Sequence, residues 1–465
     1  MSSARRRFGR RPLLLGGLVL VAVIAAAAAA LALTRGGDVS NANVEFRAEP
    51  TPSPVATPEA PRRRAERRND FTWAHYGFSR DRRHHLPAES VRPPFNRVWD
   101  FRSNLLLEFS PVMGQGRLYV LRNNASLYTL SAKTGKVQWK RKLGALAASA
   151  PAYADGRLYV TILERERGDG GRVVALRARD GRELWSQPLA SRSESSPLVY
   201  DGSVHFGSEN GTVYKLRARD GRVQWRYKAS GAVKGALALD SGKLYFGAYG
   251  GKVHAIRQSD GRAAWTSTTR GLRLGTGSGN FYSTPAVAYG RVFIGNTDGK
   301  VYSFSSATGR LAWTRSTGGY VYAAPAVASV PGGEPTVYIG SYSGSFFGLD
   351  ARTGRIRWMH RAGGRISGAA TVVGRVVYFA NLGRKETVGL DARNGRKVFR
   401  FGYGSFNPVI SDGERIYLTG YTSLFALEPV SARESRRGAD AASRRESSAA
   451  RSGRSKRTER RRRPR

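Results

Sequence analysis

One short pattern occurs seven times along the chain and constrains the fold more than any other feature of the sequence. The copies read TLSAKTGKVQW, ALRARDGRELW, KLRARDGRVQW, AIRQSDGRAAW, SFSSATGRLAW, GLDARTGRIRW and GLDARNGRKVF. In each copy, Thr, Asp or Asn precedes a glycine, and an aromatic residue follows that glycine four positions later. Two short apolar runs around such a turn predict a β-hairpin, because glycine supplies the positive φ that the turn requires.

The defining residues keep the same register in every copy. The turn glycines are Gly135, Gly181, Gly221, Gly261, Gly309, Gly354 and Gly395, and the aromatic residues are Trp139, Trp185, Trp225, Trp265, Trp313, Trp358 and Phe399. A second pair of short apolar segments precedes each hairpin, so the repeat has four strands and spans 40 to 48 residues. Such sheets form a β-propeller when they pack around an axis, with small residues near the axis and aromatic residues in the wide outer gaps.

The number of blades follows from the two ends of the repeat region. After Phe399, the segment FNPVISDGERIYLTGYTSLFALEP supplies three more strands without a fourth. The segment from Asn96 to Phe101 contains Trp99, 40 residues before Trp139, and no strands precede it. The sequence therefore predicts an all-β, eight-bladed β-propeller over residues 96–429, in which the N-terminal segment supplies the fourth strand of the last blade and removes open sheet edges.

The repeat G-x-x-Y-x-L-x-A-x-[TDN]-G-x-x-x-W resembles that of the PQQ-like, quinoprotein-type β-propellers. It resembles the propeller subunit of the outer-membrane β-barrel assembly machinery more than the PQQ dehydrogenases of the same family. For a dehydrogenase, the resemblance implies a calcium ion held by carboxylate and amide ligands, an Asp base and adjacent cysteines. The chain has no cysteine, and backbone hydrogen bonding in turns accounts for most of its propeller aspartates. We therefore predict no catalytic, cofactor-binding or metal-binding residues and no cofactor.

The segment FTWAHYGFSRDRRHHLP resembles the lead-in that precedes the first blade in this family. We expect residues 71–95 to dock on the propeller through Trp73. The adjacent His84 and His85 could bind a metal, but they lack spaced partner ligands and are interpreted as a solvated turn.

The two ends of the chain have compositions unlike that of the propeller. Residues 13–33 are 21 uncharged residues, long enough for a transmembrane helix, and the five arginines of residues 1–12 place that segment in the cytoplasm. A cleaved signal peptide is the alternative. Residues 34–70 form a predicted Pro/Arg-rich linker, and residues 430–465 a disordered basic tail. The propeller is thus expected outside the cytoplasm, on a single-pass anchor in the cell membrane.

The net charge of +43 points to an anionic partner. Arginines flank the hairpin turns, which emerge on one face of a propeller, and we predict an anion-binding rim made of Arg177, Arg179, Arg217, Arg219, Arg352 and Arg393. Selection for solubility alone also explains arginines at turns. The mouth of the central channel is predicted at residues before the first strand of several blades, namely Lys234, Tyr282, Tyr320, Arg365 and Phe406.

Three functions are compatible with these features. The first is a membrane-anchored, non-catalytic scaffold that binds partner proteins, anionic polymers of the cell envelope or lipid headgroups. The second is a quinoprotein-type dehydrogenase. The third is nucleic-acid binding through the basic tail by release of counterions, against which the predicted export of the propeller argues.

Overall fold

The computed structural model describes residues 37–47, 71–165, 170–269 and 279–431. These residues form 33 strands and no helix, and the strands assemble into eight sheets. The prediction of an all-β, eight-bladed propeller is confirmed. The predicted transmembrane helix at residues 13–33 and the tail from residue 432 lie outside the described residues, and within the described ranges no helix is both long and apolar enough to cross a membrane.

Two strands precede the first complete blade, β1 (His85–Leu86) and β2 (Phe95–Arg102). Blade 1 contains β3 (Val112–Gly114), β4 (Arg117–Leu121), β5 (Ser126–Ser131) and β6 (Val137–Lys142). Blade 2 contains β7 (Ala152–Ala154), β8 (Arg157–Ile162), β9 (Arg172–Arg177) and β10 (Glu183–Pro188). Blade 3 contains β11 (Leu198–Tyr200), β12 (Ser203–Gly207), β13 (Thr212–Arg217) and β14 (Val223–Lys228). Blade 4 contains β15 (Ala238–Asp240), β16 (Lys243–Ala248), β17 (Lys252–Arg257) and β18 (Ala263–Thr268).

The second half of the propeller repeats this order. Blade 5 contains β19 (Ala286–Ala288), β20 (Arg291–Gly295), β21 (Lys300–Ser305) and β22 (Leu311–Ser316). Blade 6 contains β23 (Ala326–Ala328), β24 (Thr336–Gly340), β25 (Ser345–Asp350) and β26 (Ile356–Arg361). Blade 7 contains β27 (Thr371–Val373), β28 (Val376–Asn381), β29 (Glu386–Asp391) and β30 (Lys397–Phe401), with β1 added parallel to β27. Blade 8 contains β31 (Val409–Ser411), β32 (Ile416–Thr419) and β33 (Ser423–Pro429), followed by β2.

The repeated glycine and tryptophan belong to one contact between neighbouring blades. The indole Nε1 of each fourth-strand tryptophan donates to a main-chain carbonyl at the turn of the next blade, at 2.9 to 3.2 Å. The ring lies on the turn glycine of that blade, so a Cβ added to Gly221 would be 2.6 Å from Trp185. All seven turn glycines also have φ between +70° and +74°. Glycine is therefore needed both for the backbone conformation of the turn and for the close contact with the aromatic side chain of the neighbouring blade.

Blade 8 joins strands from the two ends of the propeller. Strand β2 pairs antiparallel with β33, from Phe95 opposite Pro429 to Arg102 opposite Ser423. Because these two strands come from distant parts of the chain, blade 8 has no turn between its third and fourth strands. The fourth strand of blade 7 therefore has no turn carbonyl of blade 8 to contact. Blade 7 carries Phe399 in place of tryptophan, and its ring meets Phe95 edge-on at a centroid distance of 5.4 Å.

The lead-in forms a loop around the propeller axis, and we name residues 73–86 the axial ring. One backbone amide in the first strand of each of blades 1 to 7 donates to it in chain order, at 2.8 to 3.2 Å. The donors are the amides of Met113, Tyr153, Val199, Leu239, Val287, Val327 and Val372. Trp73 is buried against blade 1. The interpretation of His84 and His85 as a solvated turn is wrong, because the ring fills the axis and buries His84.

A fully buried cation lies inside the axial ring. Within the described residues, the Arg82 guanidinium donates only to main-chain carbonyls, those of Tyr76, Ser196, Pro197 and Leu237. Burial lowers the pKa of Arg82 to about 9. Burial, and then the Arg82 charge, lower the pKa of both His75 and His84 to about 3, so both imidazoles are neutral at pH 7.

Residues 37–47 correct the prediction of a continuous linker over 34–70. Ser40 bridges antiparallel to Trp313, and Val44 packs in the core of blade 5. The Asp38 carboxylate contacts Arg315 at 2.7 Å. This segment covers the outermost strand of blade 5, which explains why Trp313 is fully buried while the other repeat tryptophans are half-buried. We name it the strap.

The strand order gives the propeller two different faces. The turns between strands one and two and between strands three and four lie together, as the bond from the Ala218 amide to the Gly202 carbonyl shows. We name this end, toward which the axial ring lies, the plugged face. The segments before each first strand and the turns between strands two and three lie at the opposite end, the open face.

Candidate functional site

An axial cavity of about 270 Å³ lies on the side of the open face. Residues four positions before the first strand of six blades line it: Glu108, Glu194, Lys234, Tyr282, Tyr322 and Ser367. Tyr76 of the axial ring also lines the cavity, and its hydroxyl donates to Asn407 Oδ1 at 3.2 Å. The ring therefore closes the inner end of the cavity, and equivalent positions of successive repeats form its wall.

Lys234 is the centre of the charged part of this wall. Its Nζ lies 2.8 Å from Glu194 Oε1 and 2.9 Å from Glu209 Oε1. Burial alone would lower the pKa of Lys234, but the two carboxylates raise it above its usual value. Burial raises the pKa of Glu194, and the Tyr282 hydroxyl donates to its other oxygen at 3.1 Å.

Tyrosines form the aromatic part of the wall. Tyr282 and Tyr322 meet edge-on at a centroid distance of 5.6 Å, and Tyr322 meets Tyr342 at 4.9 Å. Lys234 Nζ lies 5.6 Å from the ring centroid of Tyr249, and the Arg365 guanidinium lies 5.8 Å from that of Tyr342. These tyrosine rings therefore already contact two cations of the same chain.

The structure brings together three of the five residues predicted at the channel mouth. Lys234, Tyr282 and Phe406 line the cavity. Tyr320 and Arg365 lie outside it, two positions earlier in their repeats than the lining residues Tyr322 and Ser367. Sequence reasoning missed Glu108 and Glu194, although aligning the repeats on their first strands places both at the position of Lys234. The contribution of Tyr76 has no such signal, because the lead-in is not a repeat.

Comparison with known proteins identifies the family of the chain. A family model described as outer membrane protein assembly factor BamB, of the PQQ-like repeat type, matches residues 96–166, 165–328 and 230–438. The chain belongs to this family. The match runs across all eight blades, which confirms the resemblance inferred from the repeat.

Curated relatives of this BamB family align with a smaller part of the chain. Outer membrane protein assembly factor BamB of Yersinia pestis is 30% identical over 106 residues, which are 23% of this chain and 25% of the relative. The protein of the same name from Escherichia coli strain K12 is 32% identical over 107 residues, again 23% and 25%. The aligned segment thus spans about a quarter of the length of these relatives.

Solved structures with the same fold include a BamB protein and a quinohemoprotein dehydrogenase. BamB from Moraxella catarrhalis has a TM-score of 0.58 at 18% identity, covering 72% of this chain and all of that one. Quinohemoprotein alcohol dehydrogenase from Comamonas testosteroni has a TM-score of 0.64 at 13% identity, covering 77% and 80%. At these identities the likeness shows the fold alone.

The residues of the axial cavity do not fit a calcium-bound quinone. Calcium takes about six to eight oxygen ligands, several of them carboxylates. Here the Lys234 ammonium already pairs with the Glu194 and Glu209 carboxylates. Within the described residues this leaves Glu108 as the one lining carboxylate without an ion pair, which is too few for calcium. In the described part of the chain, no group of three or more His, Asp or Glu side chains has the arrangement of a metal site.

The six arginines of the predicted rim lie on the outer turns of blades 2, 3, 6 and 7. Arg177 and Arg217 each donate hydrogen bonds to the aspartate of their own turn, Asp180 and Asp220, with Nε to Oδ1 distances of 2.9 and 2.8 Å. Hydrogen bonds from these guanidiniums lower the pKa of Asp180 and Asp220 to about 2. The remaining rim residues, Arg179, Arg219, Arg352 and Arg393, are arranged differently. Arg179 and Arg219 lie 3.8 and 3.7 Å from the same two carboxylates, Arg393 lies 3.7 Å from Asp391, and Arg352 lies over Phe46.

Proposed function

We propose that the chain is a non-catalytic scaffold of the cell envelope that binds partner proteins on its open face. Membership of a family described as an outer membrane protein assembly factor supports an assembly role. The unsuitable donor set of the axial cavity argues against a quinoprotein dehydrogenase. The proposed anchor is the apolar segment 13–33, which would hold the propeller outside the cytoplasm.

The distribution of exposed aromatic side chains carries this proposal. Tyr320, Tyr403 and Tyr421 are 55%, 50% and 43% exposed, and the strand order places all three on the open face. Tyrosine is enriched at the energetically important positions of protein interfaces, because it buries a large area while its hydroxyl keeps a polar contact. An open face that is lined with tyrosine is therefore suited to a protein partner.

Capture of cross-linked partners from intact envelopes tests the proposal. Replacing Tyr320, Tyr403 and Tyr421 together by Ser should remove the partner proteins that copurify with the parent. A matched control replaces Val137, Ile356 and Val398 by Ser, since these side chains are also exposed but lie on outer strands. Equal loss of partners in both variants, or retention in the tyrosine variant, would contradict docking on the open face.

Fractionation tests the proposed anchor. The mature protein should stay with membranes after washing at high salt and high pH, because an apolar span of this length inserts stably. Recovery of a soluble protein that begins after Leu33 would assign the segment to a cleaved signal peptide.

A second binding function, for anionic polymers or lipid headgroups, is favoured by the rim. Arg179 and Arg219 are exposed and share their aspartates with Arg177 and Arg217, so each turn keeps excess positive charge. Arginine forks bind phosphates and carboxylates bidentately. We expect this contact to be salt-sensitive and weaker than docking of a protein on the open face. Nucleic-acid binding by the tail has no comparable support, since the proposed anchor places the tail outside the cytoplasm.

A further inference from the structure

We propose that the axial cavity binds a basic side chain, of arginine or lysine, that projects from a partner protein docked on the open face. This inference rests on the proposed scaffold function and names the chemistry that its central pocket recognises. It is carried by the charges, the aromatic wall and the position of the cavity.

The cavity has a charge opposite to that of the protein around it. Among the residues that the structure describes, its lining contains Glu108 and Glu194 against one cation, Lys234, in a chain whose net charge is +43. Behind the wall, Glu209 adds a further carboxylate, which Arg192 Nε approaches at 3.8 Å. A cationic partner group would therefore be repelled by most of the surface and attracted to the axis, which favours one docking position.

Glu108 is the carboxylate available to such a group. It is half-buried in the cavity wall and forms no ion pair with any residue in the described ranges. Burial, and then the charge of Glu194, raise its pKa, and only a hydrogen bond from Asn123 acts in the other direction. A cation entering the cavity would stabilise this carboxylate, which has no counter-charge among the described residues.

The aromatic wall suits the rest of a basic side chain. Lysine and arginine have long apolar stems and a cationic head that is attracted to the face of a tyrosine ring. The chain already makes this contact twice, through Lys234 on Tyr249 and Arg365 on Tyr342. Tyr282 and Tyr322 line the cavity between those two contacts.

The size and position of the cavity favour a side chain of a protein over a free amine. A water molecule takes about 30 Å³ in the liquid, so about 270 Å³ holds a side chain of several heavy atoms together with ordered waters. The exposed Tyr320 contacts the lining residue Tyr322 at a ring distance of 6.0 Å. The cavity wall is thus continuous with the proposed docking face, as expected for a pocket that receives an anchor residue.

Binding of short peptides to the full chain tests the proposal. We would measure fluorescence anisotropy with labelled Gly-Gly-Arg-Gly-Gly and with Gly-Gly-Gln-Gly-Gly as the neutral probe. The arginine peptide should bind and the glutamine peptide should not. Glu108→Gln should weaken binding of the arginine peptide about tenfold, since a charge-assisted contact is lost. Glu334→Gln, the same change at an exposed position on the plugged face, should leave binding unchanged.

A gain of binding guards against a variant that fails to fold. Ser367 occupies the position of Glu108 in blade 7, and Ser367→Asp should tighten binding of the arginine peptide. Unchanged affinity in both Glu108→Gln and Ser367→Asp would overturn the proposal. Free arginine amide that binds as tightly as the peptide would also overturn it, because the ligand would then be a small amine. Partner capture that needs the three open-face tyrosines but ignores Glu108→Gln would leave the scaffold function standing and refute the cation pocket.

Discussion

The two faces of the propeller are built from the same repeats, but polar groups are buried and hydrogen-bonded on one face, whereas aromatic side chains are exposed on the other. On the plugged face, the axial ring accepts hydrogen bonds from seven blades, and the fully buried Arg82 is satisfied by carbonyls. On the open face, Glu108 forms no ion pair within the part of the chain that the structure describes, and three tyrosines are exposed. The comparison indicates that the turns of the plugged face hold the blades together, while the loops of the open face keep aromatic side chains accessible.

Removal of the ring-closing segments should have the largest effect. Deleting residues 1–102 removes β2 and the axial ring, which leaves an open blade and an unfilled axis, and we expect loss of cooperative unfolding in calorimetry. Deleting residues 1–36 should leave the unfolding temperature of the propeller unchanged. Deletion of residues 1–69 should give an unfolding temperature between the other two, because it removes the strap and exposes Trp313 but keeps β2 and the axial ring. Equal unfolding temperatures for all three variants would show that neither β2 nor the axial ring contributes.

Loss of the buried cation should come next. Arg82→Met leaves several buried carbonyls without a donor, and we expect a loss of about 3 to 5 kcal/mol in the free energy of unfolding. Arg365→Met, at an exposed position on the open face, should cost less than about 0.5 kcal/mol. Urea unfolding of the two variants measures both values. An equally small loss in the free energy of unfolding for both variants would mean that water molecules hydrogen-bond to these carbonyls when Arg82 is absent.

A smaller effect isolates the contact between blades. Gly221→Ala places a methyl group 2.6 Å from Trp185, whereas Gly202→Ala at a similar positive φ meets nothing within 4 Å. Both changes should cost about 1 kcal/mol for the left-handed backbone, and Gly221→Ala should lose about 1 to 3 kcal/mol more for overpacking. Matching denaturation curves would show that the tryptophan moves aside without cost.

The smallest effect on stability is expected at the rim. Replacing Arg177, Arg179, Arg217, Arg219, Arg352 and Arg393 together by Gln should leave the unfolding temperature close to that of the parent, because these turns are exposed. Binding to anionic vesicles, and its dependence on salt, should fall. Deletion of residues 431–465 is the control, since a flexible polycation produces the same attraction. If only the tail deletion abolishes vesicle binding, the rim has no part in it.

The sequence predicts the propeller well because its repeat is a local pattern. A glycine turn and an aromatic residue at fixed spacing determine each hairpin, and Trp99 marks the strand that lacks a partner nearby in sequence. The axial cavity is predicted only in part, because the residue type four positions before the first strand changes from blade to blade, as Glu108, Lys234 and Tyr322 show. The repeat pattern therefore does not distinguish Tyr322 from Tyr320, two positions earlier. The burial of Arg82 could not be predicted, because a polar, arginine-rich segment gives no sign that main-chain carbonyls of the axial ring and of the segments before blades 3 and 4 will surround one guanidinium.

Site-specific photo-cross-linking tests the division between the two faces most directly. A photoreactive phenylalanine analogue placed at Tyr320 on the open face, or at Arg219 on the plugged face, would be activated in intact cells and the adducts identified by mass spectrometry. We predict a discrete protein adduct at position 320 that Glu108→Gln weakens, and no such adduct at position 219. A discrete protein adduct at position 219 with none at position 320 would contradict the assignment of binding to the open face.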